Sequence, residues 1–211
     1  MNPLSKKPRN RAETQQRIVQ AVGVVLSEQG FGKIGINAIA HAAGVDKVLI
    51  YRYFGGLPQL LAAYGASRDF WPSIDEIMGI TPEAVRALPP AARYIRFVHG
   101  FVDALRKRPL TLEILASEVL DHNELTTLLE DRRERWGEDI ARALDASDPH
   151  FQRVDATAIS VLLIGGIQYL LIRSRSVRVF GGIDLRTDAG WDRLKASMTQ
   201  IAEALFYEQL P

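Results

Sequence analysis

Residues 36–54 read INAIAHAAGVDKVLIYRYF. The spacing of Ile36 and Ile39 predicts a short helix that ends at Gly44, because glycine adopts the left-handed conformation at little steric cost. Asp46 is placed to cap a second helix, since a carboxylate can accept the free N–H groups of a first helical turn. Two short helices hinged at a glycine are an arrangement that presents a helix to the DNA major groove.

The second of these helices has a dense set of side chains on one face. We expect Ile50 and Phe54 to turn inward, which leaves an opposite face that a purely structural helix does not require. That face carries Lys47, Val48, Leu49, Tyr51 and Tyr53. Val48 and Leu49 cannot hydrogen-bond a base and are expected to pack against thymine methyl groups, whereas Lys47 can donate to guanine O6 or N7. The tyrosines can reach phosphates or base edges. The alternative for Leu49 is packing against the preceding helix.

The run over residues 45–54, VDKVLIYRYF, resembles the signature of the TetR family of transcriptional regulators, which reads like Val-Ser-Lys-Gly-Thr-Leu-Tyr-Arg-Tyr-Phe. The similarity is close over about residues 12–65. It implies an N-terminal helix-turn-helix domain of three helices and a larger helical domain for effector binding and dimerisation. The chain departs from the family at Val48 and Leu49, where Gly and Thr are usual, and at Leu57, where a lysine or similar polar residue is usual.

Charge is distributed unevenly along the chain. The formal net charge is +1, but residues 1–60 contain eight Lys or Arg and three Asp or Glu, so they carry +5 and the remainder carries −4. A positive end attracts the phosphate backbone and releases its counterions. We therefore expect residues 1–10 to form a basic flexible arm, whose alternative role is a solvated segment that binds nothing. The expected phosphate contacts, from this arm or from the resemblance, are Arg9, Arg11, Thr14 and Arg52.

Hydrophobic periodicity predicts an all-α chain of about nine helices with no strand. We expect a DNA-binding domain over residues 1–56 and a helical effector-binding and dimerisation domain over residues 57–211. Residues 66–90 contain four prolines and Gly79, and they predict a linking region with short helical pieces. An apolar fraction of 47% is ample for a sizeable core.

The last two predicted helices are the candidate dimer surface. Between Trp191 and Leu205 apolar residues recur three or four positions apart, as in a seam that receives a neighbouring helix. The preceding helix contains Gly165 and Gly166, where glycine costs helix stability unless backbones approach closely. Together with the resemblance, this predicts a homodimer, and the alternative is a seam within one chain. The predicted interface consists of Leu162, Gly165, Gly166, Trp191, Leu194, Met198, Ile201 and Leu205.

The resemblance also implies a small apolar or amphipathic effector held between helices of the second domain. The candidate pocket residues are Phe70, Trp71, Tyr94, Val98, His99, Phe101, Trp136 and Tyr169. An aromatic stripe at helical spacing is equally the pattern of a core, and that alternative stays open for each residue. His99 fits a hydrogen-bonded core histidine as well as an effector ligand.

Other classes of function are not favoured. The chain has no cysteine, no Gly-x-Ser-x-Gly elbow, no phosphate loop and no His-Glu-x-x-His motif, so catalysis, a cofactor and a bound metal are not expected. We expect a cytoplasmic location, because no signal peptide is recognisable. The most apolar run, residues 159–172, is shorter than a membrane span and is expected to be a buried helix.

The sequence thus predicts a DNA-binding regulator that is released as a repressor from a palindromic operator by a small-molecule effector. The alternatives are a dimeric regulator without an effector, or an activator.

Overall fold

The computed structural model describes residues 11–67, 70–119, 124–145 and 147–206. Within them the chain forms twelve α-helices, one 3₁₀ turn and one two-stranded hairpin. The helices are α1 (Arg11–Gln29), α2 (Ile36–Ala43), α3 (Lys47–Phe54), α4 (Leu57–Gly65), α5 (Ile74–Met78), α6 (Pro82–Arg86), α7 (Pro90–Arg106), α8 (Pro109–Glu118), α9 (Glu124–Ala143), α10 (Pro149–Gln152), α11 (Ala156–Ser174) and α12 (Asp188–Leu205). The 3₁₀ turn is Phe31–Lys33, and the strands are β1 (Val179–Phe180) and β2 (Ile183–Asp184).

The all-α class is confirmed, and the larger number of helices comes from short ones. Helices α5 and α6 are the short pieces predicted in the proline-rich region. Each begins with a hydroxyl cap, Ser73 for α5 and Thr81 for α6, whose oxygen accepts a backbone N–H three residues on. Helix α10 is a single turn that the sequence pattern did not predict.

The expectation of no strand is wrong for the hairpin. Val179 pairs with Asp184 and Phe180 with Ile183 in an antiparallel register. The connecting Gly181 and Gly182 have φ values of 56° and 79°, which a tight two-residue hairpin turn demands and glycine supplies. Strands of two residues are too short to show alternation, so Gly-Gly was the available sequence signal.

The first hydrophobic core joins α1 to α4. Ile18, Val22, Ile39 and Ile50 are fully buried in it. The same core includes three residues of α4 and two residues beyond it, namely Leu60, Leu61, Tyr64, Phe70 and Ile114. The packing of the N-terminal domain therefore extends past the boundary predicted at residue 56.

The second core is centred on α7. Its buried face includes Phe97, Val98 and Phe101, and α5, α11 and α12 pack around it. Gly100 lies where α7 meets α5, and a Cβ atom there would overlap the carbonyl oxygen of Ile77. Glycine at this position therefore sets how closely the two helices approach.

Helix α11 differs from the expectation of a buried helix. It is long and apolar enough to cross a membrane by length and composition alone, yet only Ile167 and Leu171 are buried within it. Val161 and Leu162 are 67% and 76% exposed. The expectation of burial is thus wrong for the single protomer, because apolar composition does not reveal whether the same chain covers a face.

We expect Gly100→Ala to lower the free energy of unfolding by about 2 kcal/mol, because the added methyl group must push α5 away from α7. Gly137→Ala in α9 is the matched control, since a Cβ there meets no heavy atom within 4 Å. It should raise stability by about 0.5–1 kcal/mol through helix propensity alone. Urea unfolding followed by circular dichroism measures both, and equal stability of the two variants would contradict the close contact at Gly100.

Candidate nucleic-acid interface

The turn between α2 and α3 has the geometry that the sequence predicted. Gly44 has φ 61° and ψ 42°, which is the left-handed conformation. Its N–H donates to the carbonyl of His41 at 3.0 Å, and the N–H of Val45 donates to the carbonyl of Ala40 at 3.0 Å. These bonds satisfy carbonyls at the end of α2 and turn the chain sharply into α3.

The start of α3 is fixed by the Asp46 cap and by the packing of Val45 against the first core. The Oδ1 of Asp46 accepts the N–H of Val48 at 2.8 Å, as predicted for a cap. Val45 is half-buried and packs against the core in which Ile50 is fully buried. The cap and the core contact together hold α3 in one orientation on α1 and α2.

The exposed face of α3 is narrower than the sequence predicted. Val48 is 61% exposed and Tyr51 is 54% exposed, and Lys47 and Arg52 are also exposed. Leu49, by contrast, is half-buried and packs against the first core. The expectation that Leu49 is exposed is therefore wrong, since it packs against the first core, while its contact with DNA stays a prediction.

Tyr53 connects the end of α3 to the start of α1. It is half-buried against the first core, and the guanidinium carbon of Arg11 lies 5.4 Å from its ring centroid. This cation–π contact holds an otherwise exposed cation beside the reading helix. Thr14 is half-buried one turn further along α1. Arg9 and the rest of the predicted arm over residues 1–10 lie outside the described residues.

Two helices of this domain begin without a side-chain cap. Gly35 precedes α2 and Gly56 precedes α4, and neither can supply a capping side chain. The free N–H groups of such helix ends are suited to phosphate oxygens. Leu57, at the departure from the family pattern, is half-buried. Exposed Asn37 on α2 was not among the predicted contacts, and its only sequence signal is its place between the apolar residues Ile36 and Ala38, which are half-buried.

The predicted pocket residues occupy different places. Tyr94, Val98 and Phe101 are buried in the second core. Tyr169 is 49% exposed, and its ring centroid lies 5.9 Å from that of Phe180 in the hairpin. For these four residues the structure favours core or surface over a pocket. Burial raises the pKa of the Tyr94 phenol, and its hydrogen bond with Ser160 partly offsets that rise.

The other four pocket residues line two clefts. Phe70, Trp71 and Trp136 line a cleft of about 290 Å³ between the end of α4 and α9. His99 lines a wider cleft of about 620 Å³ beside α5 and α7. Its Nε2 atom lies 3.0 Å from the carbonyl oxygen of Lys195 and 3.1 Å from the hydroxyl of Thr199. His99 is therefore hydrogen-bonded to α12 and is also part of the wall of this cleft.

The predicted dimer residues divide between surface and core. Leu162 and Ile201 are exposed, and Gly165 and Gly166 are exposed with no heavy atom within 4 Å of a Cβ built on them. Leu194 and Leu205 are half-buried against the second core. Trp191 and Met198 are buried inside the protomer, and the indole Nε1 of Trp191 donates to the carbonyl of Leu185 at 2.8 Å. For these two the interface prediction is wrong, because they have almost no exposed area left to bury.

Among the residues that the structure describes, no group of three or more His, Asp or Glu is placed to hold a metal ion.

Comparison with known proteins agrees with this geometry. Residues 17–64 match the family model of bacterial regulatory proteins of the tetR family. A TetR-like transcriptional regulator from Rhodococcus sp. RHA1 is 23% identical with a TM-score of 0.61, and the alignment covers 96% of this chain and 100% of that chain. No curated protein matches by sequence.

Two further solved structures share the fold. The fatty acid degradation regulator FadR from Bacillus halodurans is 17% identical with a TM-score of 0.60, over 97% of this chain and 98% of that chain. NalD, the secondary repressor of the MexAB-OprM multidrug efflux pump in Pseudomonas aeruginosa, is 20% identical with a TM-score of 0.60, over 90% and 97%. At these identities the likeness shows the fold.

The capped, exposed helix α3 on a small helical core, followed by a larger helical domain, defines a DNA-binding transcriptional regulator. Residues 17–64 carry the N-terminal domain of the tetR family of bacterial regulatory proteins, and the described residues share the all-α fold of solved TetR-like regulators.

Proposed function

We propose that the protein is a homodimeric repressor that a small-molecule effector releases from a palindromic operator. The observation that carries the proposal is the exposed face of α3, held in one orientation by Gly44 and Asp46. Repression as the mode of action is supported by NalD, a repressor that shares this fold. The alternatives are a dimeric regulator that responds to no effector, and an activator.

In this proposal α3 enters the major groove. Lys47 donates to guanine, Val48 packs on a thymine methyl group, and Tyr51 reaches a base edge or a phosphate. Arg52, the N-terminal basic residues Arg9 and Arg11, and the hydroxyl of Thr14 position the domain on the phosphate backbone. The excess of positive charge in residues 1–60 supports that orientation, since the acidic remainder is repelled by DNA.

The dimer in this proposal forms through α11, with the exposed part of α12 beside it. Exposed Leu162 and Ile201 form apolar surface that water hydrates poorly, which a second copy would cover. Gly165 and Gly166 meet nothing in their own protomer, so they leave room for the close approach of a partner helix. Phe180 continues this surface through its contact with Tyr169 on α11.

An effector acts in this scheme by binding one arrangement of the two reading helices more tightly than the other. Its effect on operator affinity equals its differential affinity for those arrangements and cannot exceed it. An effector that favours misaligned reading helices therefore releases the DNA.

Selection of bound DNA from random sequence tests the proposal as a whole. We expect enrichment of an inverted repeat whose half-sites are centred about one helical turn apart, because a twofold axis relates the two α3 helices. Enrichment of a single asymmetric half-site, or of no sequence, would contradict the proposed mode of DNA binding.

Base readout by Val48 can be tested with the selected operator. Replacing a contacted thymine by uracil removes one methyl group and should weaken binding by about 1 kcal/mol. In the Val48→Ala variant the same replacement should cause little further loss of affinity. Electrophoretic or anisotropy titration measures the affinity of each protein for each operator. Uracil at a thymine outside the half-sites is the control. Unchanged affinity for uracil at every operator thymine would show that Val48 does not read a methyl group.

The dimer surface can be tested by placing a charge on α11. Leu162→Glu should give a monomer in sedimentation at micromolar concentration, because a desolvated carboxylate opposes association. The fold should survive, since Leu162 is 76% exposed in the protomer. Val24→Glu on the partly exposed face of α1 is the control and should remain a dimer. A dimeric Leu162→Glu protein would place the interface elsewhere.

A further inference from the structure

The cleft between α4 and α9 has aromatic walls. Trp71 and Trp136 form a corner, with ring centroids 5.5 Å apart and planes at 87°. Phe70 adds a third ring, 6.1 Å from Trp71. The Nε1 of Trp136 donates to the carbonyl of Pro72 at 3.0 Å, which fixes that ring across the cleft. The space of about 290 Å³ is near the lower end of the range for small-molecule sites, about 300 Å³, and suits a planar ligand of one or two rings.

Two polar atoms of the same cleft are buried and lack a hydrogen-bond partner among the described residues. They are the Nε1 of Trp71 and the Oγ of Ser67. Buried donors without an acceptor are uncommon in folded proteins, and each calls for an explanation. An indole N–H can only donate, so the missing partner of Trp71 must be an acceptor.

Among the residues that the structure describes, the ion pairs at the cleft do not include Arg135. Arg133 is paired with Glu118, and Asp139 is paired with Arg142. Arg135 is exposed, lines the cleft and has no ion pair within the part of the chain that the structure describes. A guanidinium in this position favours an anionic ligand, because hydrogen bonds to a carboxylate are strengthened by its charge.

We propose that this cleft binds a small aromatic carboxylate, and that it is the effector site of the function proposed above, on which this second part rests. The ring system lies in the corner formed by Trp71 and Trp136. The carboxylate accepts hydrogen bonds from the Nε1–H of Trp71 and the Oγ–H of Ser67, and it is attracted by Arg135.

Trp71 connects this cleft to both hydrophobic cores of the molecule. Its side chain packs against the core of the DNA-binding domain and against the core of the second domain. The neighbouring Phe70 is buried with the first core, and its carbonyl accepts the hydroxyl of Thr111 on α8. A ligand that moves Trp71 therefore changes the packing between the two cores, which contacts of α1 with α8 and of α4 with α9 also join.

Isothermal titration of the full-length protein tests the site with three probes: naphthoate, its neutral analogue naphthyl methanol, and decanoate. We expect naphthoate to bind at least about tenfold more tightly than the other two, because only naphthoate has both the ring and the charge. Trp71→Phe keeps a ring and removes the N–H, and Arg135→Gln removes the charge. Each variant should weaken naphthoate binding by about fivefold to tenfold.

Arg86→Gln on α6 is the matched control, since Arg86 is exposed and lies outside the cleft, and it should bind naphthoate as the wild type does. Thermal unfolding of each variant verifies that it is folded. The site would be overturned by absence of naphthoate binding or by an affinity for decanoate equal to that for naphthoate. Wild-type affinity for naphthoate in Trp71→Phe and Arg135→Gln would overturn it as well.

The effector role is measured separately, as the affinity for selected DNA with and without naphthoate. The proposal expects naphthoate to weaken DNA binding in the wild type and to do so less in Trp71→Phe at the same concentration. Naphthoate binding with unchanged DNA affinity would overturn the effector role and leave the binding site standing. Failure to select any DNA, with naphthoate still bound, would overturn the DNA-binding proposal and leave the site intact.

Discussion

The packing of Trp71 between two hydrophobic cores is the contact on which the arrangement of this molecule depends. The first core holds α3 in position, and the second is built around α7. Trp71 touches both, and its ring lies 6.0 Å from Phe101 on α7 and 5.5 Å from Trp136 on α9. Close-packed side chains transmit a displacement to their neighbours because little free volume absorbs it. Any change at this indole therefore acts on the junction between the reading domain and the rest of the chain.

Features set by a few adjacent residues could be predicted from the sequence. Gly44 and Asp46 determine the turn and the start of α3 through their own backbone and side-chain chemistry, so the helix-turn-helix was predictable in detail. Packing between distant segments could not be predicted in this way. Apolar residues three or four positions apart fit a helix contact within one chain or between two chains. For Trp191 and Met198 the structure shows packing within one chain. Leu49 was misassigned for a related reason, since it lies at the edge between the buried and exposed faces of α3.

The candidate ligand cleft shows the same distinction between local and distant information. The sequence singled out Phe70, Trp71 and Trp136 together with five other residues, because aromatic residues in helical register are common to pockets and cores. Only the fold brings these three residues together. The hydrogen bond from Trp136 to the carbonyl of Pro72, for example, joins residues more than 60 positions apart in the chain. The unsatisfied Nε1 of Trp71 has no signature in the sequence, because whether a donor finds a partner is decided by tertiary structure.

The exposed apolar face of α11 makes the stability of the folded protein depend on what binds that face. Covering Leu162 and its neighbours removes apolar surface from water, which is favourable. A binder that is specific for the folded state raises the free energy of unfolding with the logarithm of its concentration. If the cover is a second copy, resistance to heat and to proteases grows with the abundance of the protein itself. A cell with few copies would then hold a more labile pool, so the turnover of the regulator would depend on its own expression level.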